Sequence, residues 1–258
     1  MILRRLSQHL RNQQWTAIGI ELVIVILGVF IGIQVSNWNE SRHEDARARE
    51  ALARIQADLQ TDLHTIDLRS AFWPKVNDYG SAAIHYAETG ELVEGSAWKT
   101  VLAFYQASQL WPWVPSDATY QELRSAGELG LIRDKHLRAD ISQYYVEASV
   151  SNIGYIIAFQ PEYRRIVRGL TPAVASNQVW ANCWSQPSQL EQHLLDCSSP
   201  MPEAEAQAVL DGYLKNPDVL GQLRFWMANQ RVAMNVIGNT RKMDMAILAK
   251  IHAAQESP

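Results

Sequence analysis

The sequence predicts a mainly α-helical protein in which one N-terminal transmembrane helix continues into a helical bundle. Three observations support this fold class: an apolar run from Trp15 to Val35, apolar residues at steps of three and four through much of the remainder, and no run with strand alternation. The predicted organisation is a basic tail at 1–14, a transmembrane helix at 15–38 and an all-α domain at 39–258 that begins with a stalk helix at about 39–70.

The apolar run is long enough to cross a bilayer, which takes about 20 mostly apolar residues at about 1.5 Å each. Leu22 to Ile33 lacks the polar stripe that a buried core helix usually carries. Trp15 and Trp38 flank the run, where aromatic rings favour the headgroup region. A cleaved signal peptide is the alternative, but residues 33–38 offer no small-x-small cleavage site, so we predict an uncleaved signal anchor.

The distribution of charge predicts the orientation of the span. The tail carries Arg4, Arg5 and Arg11 and no acidic residue, whereas acidic and basic residues are mixed after the run. Because basic residues stay on the cytoplasmic side, we expect a cytoplasmic N-terminus, with the bulk of the chain on the other side of the membrane.

One face of the predicted span carries polar and small residues. On a helical wheel Gly28, Gly32 and Ser36 each fall within about 60° of Glu21. Gly28 to Gly32 is a G-x-x-x-G pattern, which lets a second helix approach closely, and a carboxyl at membrane depth is costly unless it is protonated or paired. We therefore predict a helix–helix contact on this face, with a second copy or with another membrane protein. The alternative is that Glu21 snorkels to the cytoplasmic interface and the glycines are ordinary span residues.

A motif crosses the outer end of the span. It consists of Glu21, Gly28, Gln34 and the run Asn37, Trp38, Asn39 and Glu40. Its spacing resembles the N-terminal signature of a bacterial family of single-span proteins of unknown function, the DUF6090-like group. The resemblance covers roughly residues 14–45, and Ile20 departs from the usual pattern by separating Ala-Ile-Gly from Glu21. It implies a bacterial inner-membrane anchor with a periplasmic helical domain, and it implies no reaction.

Charge and cysteine content limit which classes of partner and of bound group the sequence predicts. The net charge is −4, and the mildly acidic outer part argues against nucleic-acid binding, which needs a basic face. Cys183 and Cys197 lie in a Ser/Gln/Pro-rich stretch, where an oxidising periplasm favours a disulfide over two free thiols. We expect no metal site, because two cysteines and a distant His193 do not complete a four-ligand set, and we expect no cofactor.

The outer domain is predicted to be an antiparallel bundle of long helices with short ones at one end. The stalk helix turns Asp58 and Asp62 away from a buried stripe of Leu52, Ile55, Leu59, Leu63 and Ile66. Pro74 ends this helix or starts the next turn. The stalk helix packs against its own domain or pairs with a copy of itself. Further helices are predicted at 76–87, 96–109, 116–125, 134–167, 202–214 and 218–255. Gly90 is the predicted stop of the first of these, Ser96 the N-cap of the second, and Asn216–Pro217 the break before the last.

Aromatic residues provide the candidate binding patch of the outer domain. They are Trp111, Trp113, Tyr120, Tyr144 and Tyr145. Two interpretations stay open: these rings line a pocket or partner-docking patch, or they are core residues of the bundle. No G-x-S-x-G, H-E-x-x-H or phosphate-binding glycine loop is present, so we expect no catalytic residues.

The sequence-based hypothesis is a non-enzymatic single-pass inner-membrane protein. Its periplasmic helical domain is a partner-binding or scaffold module, and its span associates through Glu21, Gly28 and Gly32. The alternative is a periplasmic small-molecule sensor domain that signals through a separate partner, and a periplasmic enzyme is the third interpretation.

Overall fold

The computed structural model describes residues 15–152 and 160–256, and it is mainly α, with 80% of the chain helical. The predicted basic tail at 1–14 lies outside the described residues. The helices are α1 (Trp15–Thr89), α2 (Ala97–Gln106), α3 (Ala118–Ser125), α4 (Lys135–Asn152), α5 (Glu162–Leu170), α6 (Ala173–Asn182), α7 (Glu203–Lys215) and α8 (Pro217–Glu256). Short 3-10 turns lie at Val93–Gly95 and Leu129–Leu131, and two strands, β1 (Trp184–Ser188) and β2 (Glu191–Leu194), pair antiparallel.

The chain divides into two compact units. The first consists of the described residues up to Ala53 together with Gly130–Arg133, and Arg133 forms an ion pair with Asp45 within it. The second consists of Arg54–Leu129 and the described residues from Asp134 onward. The second unit holds the hydrophobic core, to which tryptophan, tyrosine and phenylalanine side chains from α1, α2, α5, α7 and α8 contribute.

The N-terminal part of α1 is apolar and exposed. Its most apolar 18-residue window has a mean hydropathy of 2.3, and none of that window is buried. Among the described residues, α1 is the one helix long and apolar enough to cross a membrane. Side chains such as Ile24, Phe30 and Ile33, each more than half exposed, have the apolar character that a lipid-facing surface requires.

Helix α1 continues through Pro74, and the predicted helix end at this residue is wrong. Proline lacks the N–H that would bond to the carbonyl of Ser70, at a cost of about 3 kcal/mol in a helix interior. The flanking side chains of Trp73 and Val76 are buried, and the Trp73 indole donates to the Trp111 carbonyl at 3.1 Å. Burial of this stretch outweighs the local cost, and the helix ends instead at Gly90, whose φ is +78°.

Asp62 was predicted on the solvent-facing side of the stalk, and this prediction is wrong because its side chain is fully buried. The buried stripe of α1 runs through Ile55, Leu59, Asp62 and Ile66. Leu63, which was assigned to the stripe, is half-buried instead. The acidic side chain of Asp62 suggested exposure to solvent. Its spacing of three from Leu59 and four from Ile66 instead places it on the core face.

The remaining helices match the sequence pattern in part. Ser96 caps α2 by accepting from the Lys99 amide at 3.3 Å, and Pro217 opens α8 as the predicted break. One predicted helix over 134–167 is wrong, because α5 is a separate helix that begins after Pro161, a residue with extended ψ of 131°. Helix α6 and the β-hairpin were not predicted. The hairpin lacks the alternation of apolar and polar residues that indicates strands, because its composition is polar and Pro187 lies inside β1.

A disulfide joins Cys183 to Cys197, with the two Cα atoms 5.1 Å apart. It brackets the hairpin between the end of α6 and the segment that leads to α7. Side chains of α2 fix both ends: Gln106 Nε2 donates to the Cys183 carbonyl at 2.8 Å, and Trp98 Nε1 donates to the Cys197 carbonyl at 2.9 Å. These bonds hold both ends of the disulfide-linked hairpin against the core.

Candidate functional site

Three helices of the second unit each bring one polar side chain to a single buried point. We call Asp62 of α1, Tyr144 of α4 and Asp244 of α8 the buried acid site. All three side chains are completely shielded from solvent. Helices α4 and α8 pack against each other along their lengths, which places Tyr144 and Asp244 in the interface between them.

Tyr144 connects the site through its hydroxyl. It donates to Asp62 Oδ2 at 2.8 Å, while Asp62 Oδ1 accepts from the Ser116 amide at 2.6 Å. Among the described residues, neither carboxyl oxygen of Asp244 has a hydrogen-bond partner. The hydroxyl of Tyr144 nevertheless lies close enough to lower the pKa of Asp244. The site thus contains one well-bonded carboxyl and one carboxyl that lacks the bonds an ionised group needs.

Burial dominates the electrostatics of both acids. Desolvation raises the pKa of Asp62 to about 6, against the opposing effect of its bonds to Ser116 and Tyr144. Desolvation, followed by the charge of Asp62, raises the pKa of Asp244 to about 8. Burial also raises the pKa of Tyr144, which therefore stays neutral and acts as a hydrogen-bond donor. Burial therefore favours the protonated form of Asp244 more strongly than that of Asp62.

Aromatic and hydroxyl groups surround the site. The Trp113 indole donates to Thr65 Oγ1 at 2.9 Å, and that hydroxyl donates to the backbone carbonyl of Asp62 at 3.1 Å. Tyr145 stacks on Tyr120 with ring centroids 4.8 Å apart and meets Tyr144 edge-on at 5.0 Å. These contacts exclude water, which is the physical cause of the raised acid pKa values. The arrangement suits uptake and release of a proton.

The structure places all five predicted patch aromatics in the core, each with 5% exposure or less. Tyr120, Tyr144, Tyr145 and Trp113 lie around the buried acid site. Trp111 instead packs edge-on against Phe72, with the guanidinium of Arg69 3.7 Å above its ring. The core interpretation fits this burial, and none of the five is available as a surface docking patch.

Sequence reasoning missed both acids of the site. Asp62 was assigned to the wrong face, and Asp244 was not singled out. The usable signal was periodicity, because Asp244 lies four residues after Thr240 and three before Ile247, all of which are buried. The same periodicity places Asp62 in the buried stripe of α1.

The predicted membrane face lies on the exposed part of α1. Gly28, Gly32 and Ser36 are exposed and Glu21 is half-buried. A Cβ built on Gly28 or Gly32 would have no heavy atom of the chain within 4 Å, so the backbone is open to a neighbouring helix there. The motif residues Gln34, Asn37, Trp38, Asn39 and Glu40 are exposed on the same helix, and the Arg42 guanidinium lies 5.1 Å from the Trp38 ring.

Comparison of the chain with protein-family models, with curated proteins and with solved structures finds no match. The resemblance to the DUF6090-like group therefore stays a prediction, based on the motif between Glu21 and Glu40 alone.

Proposed function

We propose that this chain is a non-enzymatic, single-pass protein of the bacterial inner membrane. In this proposal the N-terminus is cytoplasmic, the helical domain after residue 38 is periplasmic, and that domain is a partner-binding or scaffold module. The membrane helix associates with a second copy or with another membrane protein through Glu21, Gly28 and Gly32. The three arginines of the tail and the motif around Trp38 support the orientation and the bacterial origin.

The observation that carries the proposal is the open glycine face of α1. With no side chain on Gly28 and Gly32 and no other atom nearby, a second helix can approach the backbone closely enough for extensive van der Waals contact. Glu21 lies on the same face. A carboxyl in hydrocarbon is expensive, and a hydrogen bond across a helix pair lowers that cost.

The test compares two glycine substitutions in the same helix. Gly32→Ile fills the proposed contact, whereas Gly19→Ile adds the same side chain on the opposite side of the helix. Two differently tagged copies are expressed in native membranes, crosslinked and purified through one tag, and co-purifying membrane proteins are identified by mass spectrometry. We expect Gly32→Ile to lose a defined partner or the second copy, and Gly19→Ile to retain it. The proposal is wrong if the two variants retain the same partners as the wild type.

A second candidate function is a sensor domain, and the buried acid site favours protons as the sensed species. Asp62 of α1 and Asp244 of α8 lie at the same buried site. A change in the total charge of these two carboxyls therefore alters the packing of both helices. The groups that face them are Tyr144 and Tyr145 of α4, Asp58 and Asp67 of α1, and Arg241 of α8. Hydrogen exchange of the full chain between mildly acidic and mildly alkaline pH tests this. Protection of α1 and α8 that follows pH in the wild type but not in Asp244→Asn supports sensing, and identical behaviour opposes it.

A further inference from the structure

Two half-buried arginines of α5 converge on one buried loop of the second unit. Arg164 and Arg168 lie one helical turn apart and face the segment that follows α2. Arg164 Nη1 donates to the Ser108 carbonyl at 2.7 Å, and Arg168 Nε donates to the Ser108 hydroxyl at 2.9 Å. Arg168 Nη2 also donates to Gln109 Oε1 at 2.9 Å. Because both guanidinium groups bind the same serine, they lie close together.

The charge of this arginine pair is not balanced. Every acceptor just described is a neutral oxygen, and none of the residues that the structure describes brings a carboxylate into ion-pair distance of Arg164 or Arg168. The next arginine in the same helix, Arg165, pairs with Glu162. Burial, followed by the charge of Arg164, lowers the pKa of Arg168 to about 10, and burial also lowers the pKa of Arg164, yet both groups stay protonated at neutral pH. Two like charges are thus held together in a half-buried position, which is unfavourable without an anion.

Two aromatic rings lie beside the pair, and neither arginine is fully buried. The Arg168 guanidinium lies 4.9 Å from the Tyr105 ring and 5.2 Å from the ring of Trp180, which is 40% exposed. The Tyr105 and Ser176 hydroxyls bond to each other at 3.0 Å beside it. Each guanidinium has five N–H groups, and most of those on the pair have no acceptor among the described residues. The rings pack beside Arg168, and the bonds described above use Nε and Nη2 of its guanidinium but not Nη1.

We propose that Arg164 and Arg168 form a binding site for a phosphate group, carried by a soluble phosphate compound or by a phospholipid headgroup. The planar donor fork of arginine matches the oxygens of phosphate, and a pair of forks can contact several oxygens at once. Trp180 offers a flat apolar surface for the part of the ligand next to the phosphate. The inference is independent of the proposed function, because it requires neither the membrane contact of α1 nor a protein partner.

The test uses the full chain in nanodiscs of phosphatidylcholine, with inorganic phosphate as the probe and chloride at matched ionic strength as the reference. Binding is measured by isothermal titration calorimetry and by the shift in thermal unfolding temperature. We expect phosphate to raise the unfolding temperature of the wild type. Arg164→Gln and Arg168→Gln should each weaken phosphate binding at least tenfold, whereas Arg165→Gln, the matched control on the same helix, should bind as the wild type does.

Two outcomes overturn the proposal. One is a wild type that inorganic phosphate stabilises no more than chloride does and whose unfolding temperature does not rise when phosphatidylglycerol replaces phosphatidylcholine. The other is an equal phosphate response in the wild type and in the Arg164→Gln/Arg168→Gln variant, which would leave the pair a purely structural role. A purely structural role also predicts that Arg168→Gln unfolds at lower temperature in chloride, whereas removal of an unbalanced charge predicts an equal or higher temperature.

The same variants distinguish the two sources of phosphate. A soluble ligand gives a response to inorganic phosphate in phosphatidylcholine nanodiscs. A headgroup ligand gives an unfolding temperature that rises when phosphatidylglycerol replaces phosphatidylcholine, and this rise is lost in Arg168→Gln but kept in Arg165→Gln.

Discussion

At the scale of single residues, Asp244 is the group whose chemistry departs furthest from its ordinary behaviour. Its carboxyl is shielded from solvent, has no hydrogen-bond partner among the described residues, and has a pKa of about 8. The folded chain therefore prefers the protonated acid, whereas the unfolded chain ionises it near pH 4. Between these two values the folded state binds more protons than the unfolded state, so its stability falls as pH rises.

Asp244→Asn should remove most of this pH dependence. Near pH 4 the acid is protonated in both states, so the substitution should change the free energy of unfolding little. Near pH 8 the neutral amide avoids the cost of a buried charge, and we expect the variant to be more stable by roughly 2–4 kcal/mol, since each unit of pKa shift corresponds to about 1.4 kcal/mol. Chemical denaturation of the full chain in detergent at several pH values measures the difference.

The control for this prediction is Asp78→Asn, which changes an exposed acid on α1. It should leave the pH dependence of stability as it is in the wild type. A gain for Asp244→Asn that is the same near pH 4 and near pH 8 would contradict the assignment of the raised pKa to this residue. Asp62, with a pKa of about 6, should account for the dependence that remains in Asp244→Asn.

At the scale of secondary structure, the contact of α1 with Met227 of α8 depends on a glycine. A Cβ on Gly80 would lie 2.0 Å from Met227 Sδ and 2.9 Å from Met227 Cγ, far inside van der Waals contact. Glycine in a helix interior costs about 1 kcal/mol relative to alanine. Here the cost is offset by the packing of Met227 against the bare backbone.

Gly80→Ala should therefore destabilise the protein, by about 1–3 kcal/mol, because the methyl group overpacks the helix interface. In a Met227→Ala background the clash is absent, and the same substitution should stabilise by up to about 1 kcal/mol. Gly221→Ala is the matched control, since a Cβ at this position of α8 meets nothing within 4 Å. Thermal unfolding of the four variants measures the coupling, and equal effects of Gly80→Ala in both backgrounds would contradict it.

The sequence predicted helices well wherever local signals and burial agree. Ser96 as a cap, Gly90 as a stop and Asn216–Pro217 as a break follow from local backbone chemistry, and the structure has all three. Pro74 was misjudged because tertiary burial on both sides of it decides its conformation, and a local rule contains no such term. The hairpin was missed because its shape depends on a disulfide and on bonds to α2 that are distant in sequence.

The candidate site was less predictable than the fold. Tyr144 and Tyr145 were singled out as aromatics, yet their role around two carboxyls depends on which helices meet. Periodicity alone places Asp62 and Asp244 in buried stripes, but the proximity of residues on α1 and α8 is a property of the tertiary structure. The arginine pair could not be predicted either, because its common acceptor, Ser108, lies on a loop that is distant in sequence.

At the scale of the whole molecule, the exposed apolar surface is concentrated before residue 39. The segment from Ile20 to Trp38 exposes large apolar side chains almost continuously, whereas the large core side chains belong to the second unit. A chain of residues 39–258 should therefore be soluble without detergent and should keep its α-helical circular dichroism. Aggregation of that chain under conditions in which the full chain is folded in detergent would contradict this division.

Removal of the disulfide should weaken the second unit without unfolding it. The bridge spans 14 residues, and a loop of that length stabilises by roughly 3 kcal/mol through restriction of the unfolded chain. Cys183→Ala/Cys197→Ala should lower the free energy of unfolding by about that amount. A second measurement is denaturation of the wild type with and without reductant. The prediction is contradicted if neither the double substitution nor the reductant changes the denaturation midpoint.

The position of Cys183 has a consequence for how the protein is made in the cell. Its sulfur is completely shielded by the core, and only Cys197 retains partial access to solvent. Thiol exchange needs an attacking thiolate to reach a sulfur, so a folded chain resists both reduction and late oxidation. The bond has to close while the chain is still assembling, which makes the yield of mature protein depend on the thiol-oxidising enzymes of the compartment into which the chain emerges.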